Sequence, residues 1–159
     1  KYIKNYENVI ILRTFSKAYG LAGLRAGFIA CNKIIANNLF KFKPMYEINS
    51  LAVLIIKEIF RNKNEYNKYI KETNDGKNYL IQELKKINLN FYNTYANFIL
   101  VEFKDKYTQE KIYNKLFKKK ILTRYPPNIA ACRNYLRFTL GPKKYMKILI
   151  AEIKKILKI

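Results

Sequence analysis

Between residues 13 and 28 the sequence reads Arg-Thr-Phe-Ser-Lys-Ala-Tyr-Gly-Leu-Ala-Gly-Leu-Arg-Ala-Gly-Phe. Two hydroxyls (Thr14 and Ser16), an amine (Lys17) and a guanidinium (Arg25) are set among small residues. Hydroxyls can donate hydrogen bonds to phosphate oxygens, and the planar fork of Arg25 can grip them. Lys17 is then the group able to condense with an aldehyde, provided its surroundings leave part of the amine uncharged. The chain contains no histidine, so the commonest general base is missing. Proton transfer falls to Lys, Tyr, Asp, Glu or Cys, with lysine the first candidate. Alone, Lys17 or Arg25 would read as a surface charge beside a turn. Ser16 and the eight-residue spacing from Lys17 to Arg25 favour a site.

Thr-Phe-Ser-Lys-x-x-Gly-Leu-Ala-Gly-Leu-Arg at residues 14–25 resembles the lysine motif of fold-type I enzymes that use pyridoxal 5'-phosphate (PLP). It is especially similar to the histidinol-phosphate aminotransferases of the class I/II aminotransferase superfamily. The likeness continues in Lys43-Pro44-Met45-Tyr46-Glu47-Ile48-Asn49-Ser50-Leu51-Ala52, which looks like the family's Pro-Tyr-Asn-Val-Asn-Ser-x-Ala, with Met45 and Glu47 as departures. Tyr95-Ala96-Asn97-Phe98 is similar to the family's Ala-Asn-Phe strand start. Residues 121–124 and 135–141 look like its two arginine-bearing strands.

The resemblance implies that Lys17 is catalytic and that Thr14, Ser16, Lys17 and Arg25 hold PLP. It implies that Arg124 and Arg137 bind a substrate carboxylate or phosphate. Arg137 is the stronger candidate, because an arginine inside an apolar strand is costly to bury unless an anion satisfies it. Asn97 either approaches the substrate or is structural, and Arg133 reads as a surface residue. The family's aspartate for the PLP ring nitrogen and its tyrosine for the ring oxygen precede the lysine strand, and neither motif occurs here. The chain is therefore expected to be the C-terminal portion of a longer enzyme and to be catalytically incomplete alone.

These residues need elements to position them. Val9-Ile10-Ile11-Leu12 is a continuous apolar run between polar residues, which predicts a buried strand over residues 8–14. Gly20, Gly23 and Gly27 suit close backbone packing, and Phe28-Ile29-Ala30 reads as a second strand. The spacing predicts a helix over 33–42, broken at Pro44, and one or two helices over 50–83. Strands over 97–103, 121–125 and 135–140, with helices over 109–118 and 143–157, describe a small α+β domain. The expected fold is α/β, the C-terminal part of a fold-type I PLP-dependent transferase. Residues 1–48 would end the large domain, 49–85 would be connecting helices, and 86–159 would form the small domain.

Composition sets the outer limits. The chain has 159 residues and is 50% hydrophobic, enough to bury a core. Its apolar runs fall short of the roughly 20 residues that span a bilayer. With no signal core at residues 1–5, a cytoplasmic location is expected. Two cysteines, Cys31 and Cys132, are too few for a disulfide scaffold or, without histidine, a usual zinc site, and read as buried thiols. The net charge of +21 taken alone would point to nucleic acid. The lysines are scattered rather than clustered, however, and come with Asn, Ile and Tyr, as an AT-rich genome supplies. They read as a solvated surface that could also attract a phosphorylated substrate.

The reading is a PLP-dependent aminotransferase taking a small phosphorylated or carboxylated amino donor and a 2-oxo acid acceptor, with a homodimer implied by the resemblance. The alternatives are a PLP-dependent decarboxylase of an O-phospho-amino acid, whose family resembles the same motif, and a basic nucleic-acid-binding protein that keeps the fold. A binding role alone would not require Ser16, Lys17 and Arg25 together.

Overall fold

The computed structural model describes residues 2–125 and 132–159. The chain divides into two compact units, Lys1–Tyr66 and Asn67–Ile159.

In the first unit a short helix α1 (Tyr2–Asn5) precedes an antiparallel ribbon of β1 (Ile11–Thr14) and β2 (Gly27–Ala30). The register pairs Ile11 with Ala30 and Thr14 with Gly27, so the strands close a loop that carries residues 15–26. Gly27 permits the close approach, because a Cβ there would stand 2.6 Å from the Arg13 carbonyl oxygen. Helices α2 (Lys33–Phe40) and α3 (Ser50–Arg61) follow, and α4 (Lys63–Lys86) begins within the unit.

Three expectations change here. The first strand starts at Ile11 rather than residue 8, and all four of its residues are exposed, Leu12 at 72%. Its apolar run predicts a buried strand, but among the described residues β1 has one strand neighbour, β2, and the two-stranded ribbon leaves much of its surface open. Helix α2 stops at Phe40, before the Pro44 break, with Lys41 and Phe42 in a turn. Cys31 is a half-buried free thiol rather than a buried one, as is Cys132 in the second unit.

Helix α3 has a defined start. The Asn49 side chain accepts from the Ala52 N–H at 2.8 Å, and its amide donates to the Leu24 carbonyl at 3.4 Å. One side chain thus caps the helix and ties it to the loop after β1. Asn49→Ala is expected to cost about 1 kcal/mol locally. Faster hydrogen exchange at the first α3 amides would report it, and unchanged exchange would show that the cap is dispensable.

In the second unit a three-stranded antiparallel sheet, in the order β3 (Phe91–Tyr92), β4 (Phe98–Glu102) and β5 (Tyr135–Thr139), carries helices α5 (Lys106–Lys118) and α6 (Lys143–Leu157). Alternation along the strands sends Ile99, Val101, Leu136 and Phe138 inward. There they meet Leu80 and Leu84 of α4, Ile112 and Leu116 of α5, and Ile150 and Ile153 of α6. Asp105 caps α5 by accepting from the Thr108 N–H at 2.7 Å, which starts that helix earlier than the apolar spacing alone suggested. The strand expected over 121–125 is not formed; only Arg124 bridges to Arg137. The short stretch of apolar residues there supplies no second ladder pair. Among the described residues no helix is long and apolar enough to cross a membrane.

Glu83, nearly buried on α4, accepts from Lys154 of α6 at 2.6 Å and from Lys86 at 2.7 Å. The hydrogen bond from Lys154 leads in holding its carboxyl down to about 2 from the ordinary 4.5. A depressed carboxylate stabilises the fold fully above its unfolded value and loses that contribution as pH falls through the folded one. Wild-type stability should therefore drop between pH 4.5 and about 2, and Glu83→Gln should flatten that limb while lowering the urea midpoint at pH 7. Parallel acid limbs for the two proteins would refute the assignment.

Candidate active site

Lys17 lies in the bend that follows β1, three residues beyond Thr14. The backbone there is fixed from several directions. The Phe15 N–H donates to the Ala26 carbonyl at 3.1 Å, Leu21 N–H to the Phe15 carbonyl at 3.0 Å, and Gly20 N–H to the Lys17 carbonyl at 2.9 Å. Gly20 takes φ +69°, where a side chain would be strained, so glycine is required to turn the chain back after Lys17. A 3-10 turn (Ala22–Leu24) then delivers Arg25, itself left-handed at φ 52°.

Beneath the loop, Phe15 and Ala26 are buried with Ala52 of α3, and Phe15 meets Tyr19, Phe28 and Phe60 at ring centroid distances of 5.0, 5.8 and 6.0 Å. Tyr19 stacks on Tyr66 at 4.3 Å with 7° between the planes. Burial, helped by the hydrogen bond with Tyr19, pushes the Tyr66 phenol up, so it stays neutral at ordinary pH. This aromatic anchor is not among the sequence expectations. Its signal was Phe15 and Tyr19, single large apolar side chains in a stretch otherwise of small and polar residues.

The functional side chains are more open to solvent than this anchor. Thr14, Lys17 and Arg25 are exposed, and Ser16 is half-buried. Burial of Lys17 is not supplied by the described residues. The Thr14 hydroxyl accepts from the Ser16 N–H at 3.1 Å, which leaves its own proton free to donate outward. Arg25 spends one guanidinium N–H on the Ala22 carbonyl at 3.1 Å, leaving the rest of its fork available. Among the described residues neither Lys17 nor Arg25 has a carboxylate partner. The loop thus carries, over residues 14–25, two cations without a carboxylate partner among the described residues and two hydroxyl residues, the kinds of donor that an anion takes.

A groove of about 760 Å³ opens beside the ribbon, lined by Leu12, Phe28, Ile29 and Phe40 together with the charged Lys43 and Glu47. Glu47, one of the two departures from the family segment, pairs with Lys43 at 2.9 Å. Met45, the other, is 85% exposed.

In the second unit, Arg124 and Arg137 exchange backbone hydrogen bonds of 3.2 and 2.7 Å, so they stand directly opposite one another. Opposed residues of an antiparallel pair share a sheet face. Arg137 is half-buried and Arg124 exposed. Tyr135 lies on the same face, where burial, aided by Tyr92 and Glu102, pushes its phenol up to about 12, so it brings no charge to the arginines. Asn97 precedes β4 and is exposed, with its main-chain carbonyl accepting from the Leu140 N–H at 2.9 Å. Arg133 is exposed.

Comparison with known proteins gives a consistent picture. The family model for aminotransferase class I and II matches residues 2–153. A histidinol-phosphate aminotransferase of Flavobacterium johnsoniae is 35% identical over 154 residues, covering 96% of this chain and 43% of that protein. The crystal structure of the histidinol-phosphate aminotransferase from Clostridium acetobutylicum matches with a TM-score of 0.82 at 26% identity, over 98% of this chain and 48% of that one. That of the Sinorhizobium meliloti enzyme, in complex with pyridoxal-5'-phosphate, matches at 0.79 and 22% identity, over 96% and 42%. The chain spans less than half the length of these relatives.

Proposed function

The chain belongs to the class I and II aminotransferase family and has the α/β fold of part of a fold-type I enzyme; on this premise we propose that it is the C-terminal portion of a PLP-dependent aminotransferase. Residues 1–48 end the cofactor-binding domain, 49–85 connect, and 86–159 form the small domain. The carrying observation is the loop after β1, where Thr14, Ser16, Lys17 and Arg25 stand on a hydrogen-bonded frame and Thr14 and Arg25 each keep donors beyond the one local hydrogen bond they make.

PLP fits this donor set. Its phosphate complements Arg25 and the hydroxyls of Thr14 and Ser16, and its aldehyde is the partner of the Lys17 amine. When bound, PLP supplies the electron sink that lets a proton leave the substrate carbon. With the cofactor bound, Lys17 Nζ would be the base that holds and moves a proton at the substrate carbon. Arg25 and the hydroxyls would hold the cofactor phosphate, and Gly20 and the Phe15 anchor fix the loop.

In the second unit Arg124 and Arg137 supply positive charge for a carboxylate or phosphate of the amino donor, with a 2-oxo acid as acceptor, and Asn97 lies at the edge of that face. The working enzyme is a cytoplasmic homodimer in this reading.

Borohydride reduction of the natural-length protein with PLP, followed by peptide mass spectrometry, tests the site. A phosphopyridoxyl group on Lys17 is expected, and its absence from folded protein would sink the assignment. Amino transfer to 2-oxoglutarate, against release of carbon dioxide from phosphoserine or phosphothreonine, separates transamination from decarboxylation.

A further inference from the structure

We propose that Phe98 is a positioning residue: its ring holds the Arg137 guanidinium in place on the open face of the second unit's sheet, with the fork presented to an oxyanion. The proposal rests on Arg137 being the anion-binding group of the function argued above.

The observation is local. The Arg137 guanidinium carbon lies 5.0 Å from the centre of the Phe98 ring. The register places Leu100 opposite Arg137, and Phe98 diagonally, two residues along the same face of β4. That diagonal is within reach of a long side chain and an aromatic ring. No carboxylate pairs with Arg137 among the described residues, although Glu102 lies on the same face.

Three forces bear on Arg137. Arg124 stands directly opposite, and like charges across a ladder repel. An unheld arginine on a half-open face also samples many rotamers, and binding would have to overcome that entropy. Against these, the negative face of an aromatic ring attracts a guanidinium without consuming any of its five N–H donors. A carboxylate in place of Phe98 would hold Arg137 more tightly but would occupy the fork that an oxyanion needs. The ring fixes the cation and leaves its hydrogen bonds free.

Phe98 is itself fixed. The Thr94 hydroxyl donates to its carbonyl, and Thr94 also accepts from the Ala96 N–H at 3.3 Å. The Leu140 N–H holds the Asn97 carbonyl at 2.9 Å, and Ile99 is fully buried in the core. The residue on either side of Phe98 is thus pinned, and the main chain from which the ring projects is fixed beside the guanidinium.

The test uses the whole 159-residue chain, inorganic phosphate as probe, and nuclear magnetic resonance of the Arg137 side chain. Wild type should show Arg137 resonances displaced by the Phe98 ring current and a saturable response to phosphate. Phe98→Leu should abolish the displacement and weaken phosphate binding about fivefold. Phe98→Tyr, which keeps the ring, should restore both. The Ile99 and Leu136 methyl resonances report that the core is intact in each variant. If Phe98→Leu binds phosphate as wild type does, Phe98 does not position Arg137, while the anion site stands. If phosphate leaves wild-type Arg137 unmoved although the ring-current displacement is present, the anion site itself fails and the proposal falls with it.

Discussion

Lys17→Ala in the natural-length protein is expected to lower amino transfer by about 10⁴-fold or more, since it removes both the amine that meets the aldehyde and the base that moves the proton. Stability of the 159-residue chain without cofactor should hardly change. The Lys17 side chain is exposed and has no ion pair or hydrogen bond among the described residues, and surface replacements of that kind usually fall within about 0.5 kcal/mol. Loss of rate with an unchanged melting curve is therefore the informative combination. Lys17→Arg keeps the charge and should be as inactive, because a guanidinium stays protonated and cannot serve as nucleophile or base. Rates within tenfold of wild type for either variant would remove Lys17 from the chemistry.

Arg25→Lys makes a useful companion to that experiment. It retains a cation but gives up the planar fork, so PLP should bind more weakly while Lys17 remains available for labelling by borohydride at high cofactor concentration. The contrast separates holding the cofactor from reacting with it.

The loop that carries the candidate site was legible because its residues lie close together in the sequence. Ser16, Lys17 and Arg25 stand in one loop, and the strand pairing of Thr14 with Gly27 closes that loop as the glycines and flanking apolar runs suggested. Helix α6 was equally plain, since a 3.6-residue period places Met146, Leu149, Ile150, Ile153 and Ile156 on one face, and all five are buried. What failed was environment. The run at 9–12 reads as a buried strand, yet β1 is exposed at every residue, because periodicity reports what a strand can bury and not what is present to cover it. Residues 121–125 looked like a strand by composition, but one backbone bridge at Arg124 is all that forms. The aromatic anchor under the loop stayed hidden for another reason. Tyr19 and Tyr66 are 47 residues apart in sequence, and no local pattern predicts that their rings stack.

Gly76→Ala tests a constraint of that long-range kind, and its sign is the decisive quantity. Gly76 sits inside the 24-residue α4, and at an exposed helix position alanine would be better than glycine by about 1 kcal/mol. Here the glycine is buried, and a Cβ would overlap the Gly141 carbonyl oxygen, with the Pro142 carbonyl carbon and the Lys143 nitrogen each 3.0 Å away. All three are main-chain atoms at the start of α6, so no side chain can rotate aside. Relief requires α6 to move off α4, which would loosen Met146 and Leu149 from the core they share with Leu80 and Leu84. Overpacking of this sort costs about 1–3 kcal/mol, and more where backbone must shift, so it outweighs the gain in helix propensity. A net loss of about 2 kcal/mol is expected, read as a lower urea midpoint for the second unit. Gly141→Ala is the control, because nothing lies within 4 Å of a Cβ at that glycine and its φ is not positive, so it should stay near wild type. If Gly76→Ala is neutral or stabilising while Gly141→Ala behaves as expected, the contact between α4 and the start of α6 is not as close as described, and glycine at that position needs another explanation.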